Sequence, residues 1–198
     1  MDRVLEIQRR GGVARVRLLS GDTLRIPSAL FLERRLRVGQ PLDAEAYRLF
    51  MAQRGYPHAL EAAMKFLALR ERSQQEVRSR LRRSCYDEGT IARVLDALAL
   101  HDLVSDTRFA ERWVGCRARK YGRGRIAQEL KQKGVDGDGV RQALELLPEK
   151  EEFARAREQA RKLQKRLRGD ANKITQALAR RGYSWALARR AAEAAQEE

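Results

Sequence analysis

The chain of 198 residues is short of cysteine, histidine, proline and aromatic side chains, and each shortage closes off a class of function. Its two cysteines, Cys85 and Cys116, stand far apart, which excludes a disulfide framework or a zinc finger and suits a reducing compartment. Its two histidines, His58 and His101, have no cysteine or carboxylate at ligand spacing, so no metal is expected. Only four prolines and 6% aromatic residues argue for helices over a β-sandwich. The N-terminus opens no apolar signal segment, and no run approaches the roughly 18 apolar residues of a membrane span. The chain is therefore read as soluble and cytoplasmic, with no membrane partner. Gly-x-Ser-x-Gly, His-Glu-x-x-His and the Gly-x-x-x-x-Gly-Lys phosphate loop are also missing, and Gly122-Arg123-Gly124 neither follows a predicted strand nor continues as a dinucleotide fingerprint. The carboxylates are interleaved with arginines along helices, where solvated ion pairs explain them. Neither catalysis nor a cofactor is expected.

What the chain has in excess is positive charge. Lysine and arginine number 42 against 27 acidic residues, a net charge of +15, and 34 of the 42 are arginine. Such a surplus repels itself unless a partner neutralises it, so it points to a polyanion or an acidic protein surface and favours a monomer. By region, residues 1–57 carry +5, 58–105 carry +1, 106–148 carry +4 and 149–198 carry +5. Two clusters stand out. Arg117, Arg119, Lys120, Arg123 and Arg125 surround Tyr121 and two glycines at a predicted junction between helices, with Lys131 and Lys133 downstream. Arg161, Lys162, Lys165, Arg166 and Arg168 crowd one helix, where Arg161, Lys165 and Arg168 recur at helical spacing as a basic stripe. The junction is expected to present guanidinium forks, an exposed Tyr121 ring and free helix N-terminal amides together, a combination suited to phosphate or carboxylate. Trp113 and Trp185 lie at core-compatible spacing and are assigned to packing.

The first 57 residues differ from the rest. Val13–Leu18 and Thr23–Ile26 alternate apolar and polar residues across Gly21-Asp22, which reads as a β-hairpin, with Val4–Gln8 as a third strand. A short helix over 28–35, a turn at Gly39–Asp43 and a helix capped by Asp43 and running to about Gln53 follow; Gly55-Tyr56-Pro57 closes the unit. From His58 onward a helical pattern repeats. Val77, Leu81 and Tyr86 align with Ile126, Leu130 and Val135, and then with Ile174, Leu178 and Tyr183, at offsets of 49 and 48 residues. Each copy has three helices. The second begins in repeat one at a capping box, Ser73-Gln74-Gln75-Glu76, while Asp106 and Asp170 are expected to cap helices elsewhere. That second helix ends at Gly134 in repeat two and at Gly182 in repeat three, where left-handed backbone is wanted. Cys85 occupies the matching place in repeat one, at a cost of roughly 1 kcal/mol, and is read as a small buried hydrophobe. The fold is thus predicted to be mainly all-α, with three tandem three-helix repeats at 58–105, 106–148 and 149–198 in an elongated curved array behind a small hairpin-containing extension.

This grammar resembles the RecX regulators of the RecA recombinase. The likeness rests on Leu69-Arg70-Glu71-Arg72-Ser73-x-x-Glu76-Val77-x-x-x-Leu81, on Asp106-x-x-Phe109-Ala110, and on Gly124-Arg125-Ile126-x-x-Glu129-Leu130-x-x-Lys133-Gly134-Val135. Arg181-Gly182-Tyr183 fits the family's closing pattern, and Leu36-x-x-Gly39-Gln40-x-Leu42 resembles the extension of many members. Cys85 departs from the glycine that commonly precedes the repeat-one aromatic. The resemblance implies a non-enzymatic protein that binds the RecA filament on DNA and generally restrains its ATPase, strand-exchange and coprotease activities. It assigns no individual contact. The expected binding face comprises the N-terminal unit and repeats two and three, with nearly neutral repeat one as spacer, and it would meet the filament, DNA or both. An autonomous DNA-binding protein is the alternative.

Overall fold

The computed structural model describes residues 1–196, and Glu197 and Glu198, the end of the third repeat, lie outside the described residues. The chain divides into two compact units, Met1–Ser105 and Asp106–Glu198.

The first unit opens with β1 (Asp2–Arg10), β2 (Val13–Leu18) and β3 (Thr23–Pro27), followed by α1 (Ser28–Glu33) and the two-residue β4 (Pro41–Leu42). The sheet is antiparallel in the order β3-β2-β1-β4. Alternation decides its faces: Ala14, Val16, Leu18, Leu24 and Ile26 are buried, while Arg15, Arg17 and Arg25 face solvent. Pro41-Leu42, read from sequence as part of a turn, instead pairs with Arg3 and Asp2 at the sheet edge, where proline's missing donor is tolerated.

A second departure from expectation is α2 (Ala44–Leu67), which continues through Gly55, Tyr56 and Pro57 instead of stopping near Gln53. The boundary drawn at 57/58 therefore falls within a helix. Pro57 removes one internal hydrogen bond, but Tyr47, Gly55, Ala59 and Ala63 lie on one buried face whose packing outweighs that local loss. The small residues on this face let α2 approach α3 (Gln74–Arg83) and α4 (Glu88–Leu100).

The second unit holds α5 (Asp106–Arg117), α6 (Arg123–Gln132), α7 (Gly137–Glu145), α8 (Glu149–Leu167), α9 (Ala171–Arg180) and α10 (Trp185–Ala194). The aligned pairs Val77/Leu81, Ile126/Leu130 and Ile174/Leu178 are all buried. Each such side chain contributes about 1.5–3 kcal/mol by leaving water. The capping pattern also repeats: Ser73, Asp87, Asp136, Asp170 and Ser184 each accept from the amide three residues on. Asp106 is the first residue of α5, in the acid-favouring first turn, and not the residue before it.

The second helix of every repeat ends in the same paired bonds. Cys85, Gly134 and Gly182 have φ of 66°, 84° and 89°. Their amides donate to Arg82, Lys131 and Ala179, and the amides of Tyr86, Val135 and Tyr183 donate to Leu81, Leu130 and Leu178. Cys85 adopts left-handed backbone despite its side chain, and is half-buried instead of enclosed.

Candidate functional site

The basic residues of the second unit sort into two groups, those used to build it and those left outward. Helical spacing stacks Phe109, Trp113 and Arg117 on one face of α5, with Tyr121 just beyond, and Arg125 and Glu129 along α6, with Lys133 at its C-cap. The Arg117 guanidinium donates to both oxygens of Glu129, at 2.7 and 2.5 Å, and lies over the Tyr121 ring at 4.2 Å. Arg125 reaches Glu129 at 3.3 Å and Tyr121 at 5.2 Å, while Lys133 sits 4.3 Å from the Trp113 ring. Trp113 Nε1 donates to Glu129 as well, at 3.1 Å. The Arg117 hydrogen bonds hold the Glu129 carboxyl below the usual carboxylate range, and Glu129 in turn raises the Arg117 pKa. Tyr121 is therefore half-buried between cations, not the exposed aromatic expected.

The expected free amides at the start of α6 are occupied by the chain itself. Gly122 offers no capping side chain, and a Cβ there would stand 2.5 Å from the Gly182 carbonyl oxygen. Close approach lets Gly122 N donate to Arg181 O at 2.9 Å and Gly124 N to Gly182 O at 3.0 Å. Arg123 N donates to Glu152 Oε1 at 2.9 Å, and Glu152 is only 7% exposed. An internal carboxylate thus fills the anion position of the helix N-terminus. The Arg123 side chain is half-buried, with Nη1 donating to Leu147 O at 3.3 Å.

Arg119, Lys120 and Lys131 remain exposed. So do Arg161, Lys162, Lys165 and Arg166 on α8, although Lys162 pairs with Glu158 at 2.5 Å. Arg168 lies off the predicted stripe, because it caps α8 in left-handed backbone at φ 52°. Trp185, assigned to packing, is 60% exposed in the first turn of α10. Its register matches the buried stripe, but full burial begins one turn later at Ala188.

Three residues outside the expected set organise this surface: Glu152, Gln159 and Arg181. Glu152 and Gln159 share the buried face of α8 with Ala156, Ala160 and Leu163, and two polar residues in register with an apolar stripe were the available signal. Each reaches back to repeat two, Glu152 as above and Gln159 through Nε2 to Arg119 O at 2.9 Å. Among the described residues no three His, Cys, Asp or Glu side chains converge as metal ligands, and no helix is long and apolar enough to cross a membrane.

Known proteins share both the sequence pattern and the architecture. Residues 59–98 match the RecX first three-helix domain, and residues 105–144 match the RecX second three-helix domain. The regulatory protein RecX of Chromobacterium violaceum is 38% identical over 124 residues, covering 61% of this chain and 80% of that protein. The regulatory protein RecX of Clostridium tetani is 26% identical over 190 residues, 91% of this chain and 88% of its own length. A crystal structure of a regulatory protein RecX superposes with a TM-score of 0.66 at 21% identity, covering 100% of both chains, and so shares the fold. With the motif blocks, the repeated helix ends and these likenesses agreeing, the chain belongs to the RecX family of regulatory proteins.

Proposed function

We propose that this protein binds the RecA nucleoprotein filament and restrains its ATP hydrolysis, strand exchange and coprotease activities, working in the cytoplasm as a monomer without chemistry of its own. The observation that carries the reading is the set of outward cations on the second unit: Arg119, Lys120, Lys131, Lys165 and Arg166 make no ion pair among the described residues. Charge left unmatched in this way suits an acidic or polyanionic surface, which a protein filament on DNA provides. Family membership supports a regulatory role.

The test is DNA-dependent ATP hydrolysis by the cognate RecA. The rate should fall as this protein approaches stoichiometric amounts, and a double reversal at Arg119 and Lys120 to glutamate should weaken the effect. These positions are preferable to Arg123 and Arg125, whose side chains help to build repeat two. An unchanged rate at stoichiometric protein refutes the proposal. The net charge of +15 also favours a second reading, direct binding to DNA without RecA. It requires that log affinity fall linearly and steeply with log salt. Weak binding that is indifferent to salt rejects it.

A further inference from the structure

A recess of about 440 Å³ in the second unit is walled by Arg119, Lys120, Tyr121, Gln159, Lys162 and Arg181. Four of these are cations and none is a carboxylate. Lys162 has Glu158 as a partner, but Arg119, Lys120 and Arg181 make no ion pair among the described residues. Arg181 differs from an ordinary solvated surface arginine. It is half-buried, and its Nη1 donates at 2.5 Å to Gln159 Oε1, a neutral acceptor. Gln159 is itself only 6% exposed and is tied by Nε2 to the Arg119 carbonyl. One buried amide thus joins the turn after α9 to the turn after α5, and holds a guanidinium that makes no ion pair among the described residues.

A guanidinium carries five N–H donors in a fixed fork, so most of those on Arg181 are left for an incoming group. A half-buried cation without an anion is costly, and fixing it in advance lowers the cost of binding one. Phosphate suits this site better than a single acidic side chain. From Lys162 at the rim, exposed Lys165 and Arg166 continue along α8 at a rise of about 1.5 Å per residue, which places them about 4.5 and 6 Å farther along the helix axis. A ligand that repeats its own charge every few Å, as a nucleic-acid strand does, meets such a row along its length.

We propose that this recess seats a backbone phosphate of a nucleic-acid strand, with Arg119, Lys120 and Arg181 contacting it and Gln159 acting as the positioning residue for Arg181. The inference rests on the filament reading above, and names the nucleic acid as the component that this recess meets. The test is binding of fluorescent oligothymidylate to the full chain without RecA, followed by anisotropy across a sodium chloride series. Arg181→Ala and Lys120→Ala should each reduce the slope of log affinity against log salt by about 0.7, the loss of one phosphate contact on a single strand. A mixed-sequence oligonucleotide should show the same reduction. Gln159→Leu keeps every charge, yet should also reduce the slope because the Arg181 fork is released. A purely structural role for Gln159 would move the unfolding midpoint and leave the slope alone. Arg141→Ala, on the exposed face of α7 and paired with Asp138, should leave the slope at the parent value. Lys120 is exposed, so its variant reports on binding even if another variant is destabilised.

Parental slopes in Arg181→Ala and Lys120→Ala overturn the proposal. If those same variants also lose their effect on RecA ATP hydrolysis, the recess meets acidic protein instead. A parent protein that leaves RecA unaffected refutes the filament reading, while reduced slopes in the variants still support the recess as a phosphate site.

Discussion

Replacing Gly182 with alanine should unseat the junction between the second and third repeats. Gly182 lies at φ 89°, and a Cβ there would stand 2.8 Å from Arg125 Cα and closer still to the Arg125 amide nitrogen and Cβ. Left-handed backbone alone costs an alanine about 1–2 kcal/mol. Gly169 measures that cost by itself, since it has φ 72° and nothing within 4 Å of an added Cβ. At Gly182 the obstacle is backbone, which cannot rotate aside. The turn must retreat from α6, weakening the bonds from Gly124 N to Gly182 O and from Gly122 N to Arg181 O. Overpacking of this kind adds roughly 1–3 kcal/mol, so Gly182→Ala should cost about 2–5 kcal/mol against about 1–2 for Gly169→Ala. Both tryptophans, Trp113 and Trp185, lie in the second unit, so urea unfolding followed by tryptophan fluorescence reads that unit. At constant m, the midpoint of Gly182→Ala should fall clearly below that of Gly169→Ala. Equal midpoints would refute the steric argument and leave only the backbone conformation at work.

Two further outcomes are expected. Cys85→Gly should remove the left-handed cost at φ 66° and stabilise the first unit by about 1 kcal/mol, which corresponds to roughly fivefold slower hydrogen exchange of the most protected α3 and α4 amides; unchanged or faster exchange contradicts it. Glu129→Gln should destabilise the second unit in a pH-dependent way. Because Arg117 depresses the folded carboxyl's pKa, the stabilisation is present above the unfolded value of about 4.3 and is lost as pH falls through the folded value. The gap between parent and variant urea midpoints should therefore be full at pH 7 and close on acidification below about pH 4, and a gap independent of pH would count against the ion pair.

Much of the fold was legible because its signals are local. The hairpin follows from alternation over 13–26, and the helix ends from caps and left-handed positions whose bonds span six residues or fewer. Local reading failed where tertiary packing overrode it. Pro57 looked like a stop, but the buried Gly55, Ala59 and Ala63 carry α2 past it. Pro41-Leu42 looked like a turn, but the neighbouring edge of β1 makes it a strand. Trp185 has core-compatible spacing at the end of a helix where burial is incomplete.

The candidate surface divides along the same line. Sequence alone determined that the chain is strongly basic, where its cations cluster, and that three copies of one helical unit carry them, because composition and short-range periodicity need no folded context. Only the tertiary structure decided which cations face outward. Arg117 meets Glu129, Arg123 N meets Glu152, and Gln159 joins Arg119 to Arg181 across separations of 12, 29, 40 and 22 residues. Whether an arginine is held by a carboxylate from another helix or left for a partner depends on which faces pack together, and that is settled by long-range burial beyond the reach of any local motif.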